Sequence, residues 1–88
     1  MPVLSVFYGI IVRMQNERGG RHKKPHIHAL YAGKEIVLDL DGNILEGEFP
    51  NKQLKILVGW MAARRDDLLA NWQLLSDGEP FFKIKPFV

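Results

Sequence analysis

Pro25-His26-Ile27-His28-Ala29-Leu30-Tyr31 decides how this chain is read. Ile27, Ala29 and Tyr31 alternate with His26, His28 and Leu30, which is the period of a β-strand. His26 and His28 then share one face, while Ile27, Ala29 and Tyr31 face a core. Two imidazoles on one face can bind a metal, move protons or simply be solvated, and the alternation does not choose between these.

The neighbouring turns extend the strand into a meander. Ala32-Gly33 reads as a two-residue hairpin turn, and Lys34-Glu35-Ile36-Val37-Leu38-Asp39-Leu40 follows as the next strand. That turn sets a register in which Tyr31 faces Lys34, His28 faces Val37 and His26 faces Asp39. Ile27, Ala29, Ile36, Leu38 and Leu40 fall on the buried face. His26, His28, Glu35, Val37 and Asp39 fall on the other. Asp41-Gly42 reads as a type I′ turn into a short strand, Asn43-Ile44-Leu45-Glu46.

Upstream, Val3 to Met14 is apolar on both parities, as in a strand covered on two sides, with Gly9 as a bend, a bulge or a break between two short strands. Asn16 to Lys24, centred on Gly19-Gly20, reads as a basic loop. Downstream, the period becomes helical. Leu54, Leu57, Val58, Met61, Leu68, Leu69, Trp72 and Leu75 form one stripe, started at Phe49-Pro50-Asn51 and stopped by Asp77-Gly78. One long helix is expected, with a break near Arg64-Arg65-Asp66-Asp67 as the alternative. The expected fold is α+β: a small antiparallel sheet of three to four strands packed against one long C-terminal helix, in a single domain spanning residues 1–88. A second apolar strip, containing Ile56 and Trp60, needs a cover: the C-terminal segment, another subunit or a partner protein.

Composition narrows the function classes. There is no cysteine, hence no disulfide framework and no thiolate chemistry. No apolar run suits a membrane span and Met1-Pro2-Val3-Leu4 lacks a signal-peptide pattern, so a cytoplasmic protein is expected. The formal charge is +2, but it is uneven. Residues 13–34 hold six cations against Glu17 alone, a local charge of +5 that leaves −3 for the rest. Such a cluster suits a phosphate-bearing partner, and it also suits a solvated loop.

Three site readings follow. As acid–base chemistry on RNA, His26 and His28 would transfer protons, Asp39 would orient His26, and Arg13, Arg21, Lys23 and Lys24 would hold phosphate. As a site for a divalent transition metal, His26 and His28 would be ligands, with His22, Asp39 or Glu35 as the third. As a non-catalytic binding module, the histidines would be structural. Phosphate-cradling, dinucleotide-binding, serine-hydrolase and zinc-protease signatures are all missing from the sequence.

Several short motifs agree in order and spacing with one family. They are Phe7-x-Gly9-Ile10-Ile11, Pro25-His26-Ile27-His28-Ala29-x-Tyr31, Leu45-Glu46-Gly47, Leu54-x-x-x-Val58-x-Trp60, Asn71-Trp72, Gly78-Glu79-Pro80 and Ile84-x-Pro86. The chain resembles the small bacterial proteins of domain-of-unknown-function family 4160. The family's approach to the paired histidines resembles Asp-His-x-Pro-Pro-His-Phe-His. Here His22, Pro25, His26 and His28 match, Arg21 stands where the aspartate would be, and Lys24 replaces the first proline. The resemblance implies a two-gene module similar to a toxin–antitoxin pair, with a small antitoxin-like partner encoded by a neighbouring gene, and it implies no particular reaction. On this reading the chain is the toxin-like member, a ribonuclease candidate whose partner covers the basic loop or docks on Ile56 and Trp60. Homodimer formation stays open.

Overall fold

A computed structural model describes residues 2–15 and 24–86. The elements are β1 (Val3–Phe7), β2 (Ile10–Arg13), β3 (His26–Tyr31), β4 (Lys34–Asp39), β5 (Ile44–Gly47), α1 (Asn51–Ala63) and α2 (Arg65–Ser76). The strands form one antiparallel meander in the order β1-β2-β3-β4-β5. The fold is α+β as expected, with five strands rather than three or four.

The extra strand comes from Tyr8-Gly9, which splits the first apolar run into a hairpin. Tyr8 has φ 47° and Gly9 φ 77°, the paired positive values of a type I′ turn. Ala32 and Gly33 repeat the geometry at φ 48° and 79°. The β3–β4 register is the one this turn requires: Tyr31 pairs with Lys34, His28 with Val37 and His26 with Asp39. The connection from β4 to β5 differs from the expected type I′ turn. It occupies residues 40–43, and only Gly42 has positive φ there. Asp39 dictates this, because its Oδ1 accepts the N–H groups of Asp41 and Asn43 at 3.0 and 2.9 Å and its Oδ2 accepts Asn43 Nδ2 at 3.0 Å. An aspartate folded back on its own turn competes with the two-residue alternative.

The core lies on the face carrying Ile10, Val12, Ile27, Ala29, Ile36 and Leu38, closed by Leu57, Trp60, Met61 and Leu68 from the helices. The expected single helix is two. The break is at Arg64 (φ −114°, ψ 18°), whose N–H reaches the carbonyls of Trp60 and Met61 while its own carbonyl accepts Leu68 N–H. Asp66 and Asp67 then sit in the first turn of α2, where the helix dipole favours negative charge. Leu69, expected in the stripe, is exposed, and Asn71 is buried. Arg65 reaches out to Asp41, with Nη2 2.7 Å from Oδ1. Gly78, at φ 72°, ends α2, and Glu79 N–H closes on Leu74 O.

Over Trp60 the cover is the C-terminal segment, the first of the expected alternatives. Trp60 is buried, tilts against Phe7 with ring centroids 4.8 Å apart, and donates Nε1–H to Lys85 O. Ile56 packs partly buried against the same core.

Candidate functional site

The pleat places His26 and His28 together at the start of β3, with ring centroids 5.2 Å apart. Their environments differ. His26 is fully buried, and α2 lays Trp72 against it with ring centroids 5.1 Å apart. Its Nδ1 lies 2.7 Å from the carbonyl of Lys24. A carbonyl only accepts, so Nδ1 carries a proton. The contact is local, between residues two apart on either side of Pro25.

His28 is held differently. Its side chain keeps 12% exposure, and its Nδ1 lies 3.8 Å from Glu35 Oε2. Arg13 of β2 is its cross-strand neighbour on one side and Val37 of β4 on the other. Directly opposed residues on a sheet face have side chains within interaction distance. Arg13 Nε is buried and has no hydrogen-bond partner among the described residues. The structure thus aligns a cation, an imidazole and a diagonal carboxylate across three strands.

Asp39 faces His26 in register, yet its carboxylate is committed to the 40–43 turn, with Lys24 Nζ 3.8 Å away. Burial pushes the Asp39 carboxyl up. The hydrogen bonds from Asn43 and Asp41, with help from the Lys24 charge, outweigh this and hold it below the ordinary carboxylate range. Its expected role of orienting His26 therefore falls to the Lys24 carbonyl. Of the expected phosphate-holding residues, Arg13 lies beside His28 and Lys24 beside Asp39. Arg21 and Lys23 lie outside the described residues, as does His22, one of the residues expected as a third metal ligand. Among the described residues, no group of three or more His, Asp or Glu side chains is placed to hold a metal. Reading the sequence for chemistry placed Glu35 on the face of the pair and missed Trp72 as its neighbour. Glu35 was legible from its diagonal position in the register, whereas Trp72 lies 46 residues from His26 in sequence.

The fold and site define a class: a small α+β domain in which a five-stranded meander, backed by a broken helix, presents a strand-borne histidine pair beside an arginine. The chain belongs to the family described as Domain of unknown function (DUF4160), whose model matches residues 9–73. The match takes in the histidine pair, Arg13, Trp60 and Trp72, and ends before residues 81–86. Searches of curated proteins and of solved structures found no match. No helix among the described residues is long and apolar enough to cross a membrane.

Proposed function

We propose that this protein is the toxin-like member of a bacterial toxin–antitoxin module, acting on RNA in the cytoplasm and neutralised by a small partner protein. The observation that supports the reading is the cross-strand pairing of Arg13 with His28. A guanidinium offers paired N–H groups to phosphate, and an adjacent imidazole can take or return a proton at the 2′-hydroxyl or the leaving oxygen. His28 is the proton-transfer group in this reading, because it stands directly opposite Arg13 and next to Glu35. His26, buried and held by Lys24 O, positions the strand. Lys24 and the basic residues Arg21 and Lys23 would add phosphate affinity that falls as salt rises.

The burial of His26 supports a second reading, a non-catalytic binding module in which the pair is structural. One experiment separates the two. The wild-type gene is induced alone, then as His28→Ala, then together with the neighbouring gene. Growth arrest by wild type only, relieved by the neighbour, is the expected result. Normal growth at verified soluble expression would sink the toxin reading and leave the binding module. Purified wild type should also bind single-stranded RNA with a salt slope that Arg13→Ala reduces by about one counterion.

A further inference from the structure

Arg13 is a cation to which the fold supplies no acceptor among the described residues. The other two arginines there each have one. Arg64 Nε donates to Lys85 O at 3.2 Å, and Arg65 Nη2 to Asp41 Oδ1 at 2.7 Å. Arg13 Nε is buried and has no hydrogen-bond partner among the described residues. Glu35 lies on β4 opposite Leu30, and Glu46 on β5 opposite Val37, so at least one whole strand separates either carboxylate from Arg13. A guanidinium stays charged at every pH a folded protein meets. Holding part of it out of water with nothing to accept its N–H groups costs free energy. Such a group calls for an acceptor from outside the chain, a water or an anion.

The surroundings of Arg13 favour an anion over water. In register, one row across the sheet reads Val3, Arg13, His28, Val37. Val37 is buried, and Arg13 is half-buried, so the cation borders apolar side chains and still has an outer end toward solvent. Opposite charges attract more strongly in such a setting than in bulk water. The donors can be counted. A guanidinium offers two parallel N–H groups to one anion. An imidazole adds one N–H even when neutral. Directly opposed residues of an antiparallel pair are close enough to share a ligand. Three donors suit the three terminal oxygens of a phosphate monoester. A phosphodiester inside a nucleic-acid chain has two free oxygens, and a carboxylate has two in all, which the guanidinium satisfies alone.

We propose that Arg13 and His28 form a site for a phosphate monoester, the terminal phosphate of an RNA strand or of a nucleotide, in preference to an internal phosphodiester. The assignment rests on the reading of Arg13 as a phosphate-holding residue and narrows the substrate that reading takes. Arg13 binds two oxygens through its forked N–H groups. His28 donates to a third, next to the ester oxygen. The bound dianion also supplies the counter-charge that Arg13 lacks among the described residues. Val3 and Val37 flank the pair with side chains that offer no donor, so recognition along this row stops at the phosphate.

The test uses the full-length protein at fixed ionic strength, with calorimetry and the thermal midpoint as readouts. The probes are inorganic phosphate, acetate, and one short RNA prepared with a 5′-phosphate, with a 3′-phosphate or with hydroxyls at both ends. Phosphate should bind and raise the midpoint where acetate does not, and Arg13→Gln should abolish this. An RNA with a terminal phosphate should bind roughly tenfold or more tightly than its hydroxyl-ended form, the factor that one charge-assisted hydrogen bond supplies. The 5′ and 3′ arms show which end is taken. Equal affinity for phosphorylated and hydroxyl-ended RNA overturns the monoester site and leaves RNA binding standing. Phosphate binding that survives Arg13→Gln, an adventitious ion only, overturns it too, as does no response to phosphate. Phosphate held through Arg13 with none of the RNAs bound keeps the site, for a nucleotide, and sinks the RNA reading instead. Should Arg13→Gln not fold, the Arg13 Nε–H resonance of wild type decides. A shift on adding phosphate and none on adding acetate supports the site, and an unmoved resonance overturns it.

Discussion

His26 Nδ1 lies 2.7 Å from Lys24 O, a bond between residues two apart that turns one member of the histidine pair inward and places a proton on Nδ1. His28 shares the strand face but borders Arg13 and Glu35, and its side chain is buried less completely. The two residues should separate cleanly on substitution. His26→Ala removes a buried ring from beneath Trp72 and strands the Lys24 carbonyl, at a cost on the order of 2–4 kcal/mol. His28→Ala should cost less than His26→Ala, because its side chain keeps 12% exposure where His26 is fully buried, and should abolish growth arrest if the RNA reading holds. Urea denaturation of both variants checks the first half. Equal destabilisation would remove the division of roles.

Asp39 should set the acid limb of stability. Its carboxyl titrates below the ordinary value, so folding favours its ionised form. The associated stability is fully present above the unfolded pKa of about 3.9. It is lost as pH falls from there through the lower folded value. Asp39→Ala should cost about 1.5–3 kcal/mol at neutral pH, the range for hydrogen bonds to a charged acceptor. It should also flatten the decline in stability below about pH 4. Denaturation curves collected between neutral and strongly acid pH would show both effects, and a variant whose acid decline matches wild type would refute the assignment.

Gly47 ends β5 at φ 81°, and a Cβ there would collide with the carbonyl oxygen of Glu35 on β4. Backbone stands on both sides of that contact, so neither partner yields cheaply. Gly47→Ala should destabilise by roughly 2 kcal/mol or more, combining the positive-φ penalty with displacement of the β4–β5 pairing. Gly33→Ala provides the control, since its Cβ meets nothing within 4 Å and only the conformational cost remains. Comparable midpoints for the two variants would contradict the steric argument.

Leu57 is fully buried between α1 and the sheet, and Leu57→Ala should cost ~2–5 kcal/mol. Arg65→Ala, by contrast, removes an exposed ion pair with Asp41 and should change stability by less than about 1 kcal/mol. Thermal or chemical denaturation of the pair tests whether the helix phase places position 57 inward and position 65 outward.

Local rules carried the sequence a long way. Alternation along residues 25–31, joined to a two-residue turn at Ala32-Gly33, determined the β3–β4 register and with it the shared face of His26 and His28, because a side-chain period of two leaves no freedom once the turn is set. The helical period determined that Leu57 and Met61 are core, and Asp77-Gly78 determined where α2 stops. What remained depends on contacts between residues distant in sequence. The break at Arg64 forms where the Arg64 and Trp60 side chains both meet Lys85 O, more than twenty residues downstream. The burial of His26 depends on Trp72 crossing the start of β3, and the cover over Trp60 depends on the terminal segment bonding to Leu4 and Asn71. Asp39 was legible as the residue opposite His26, but only the closed 40–43 turn shows its oxygens spent on Asp41 and Asn43. Pattern assigns each side chain to a face. Which of two histidines on one face is buried completely and which less so is decided by whatever packs over that face, and that is a property of the whole fold.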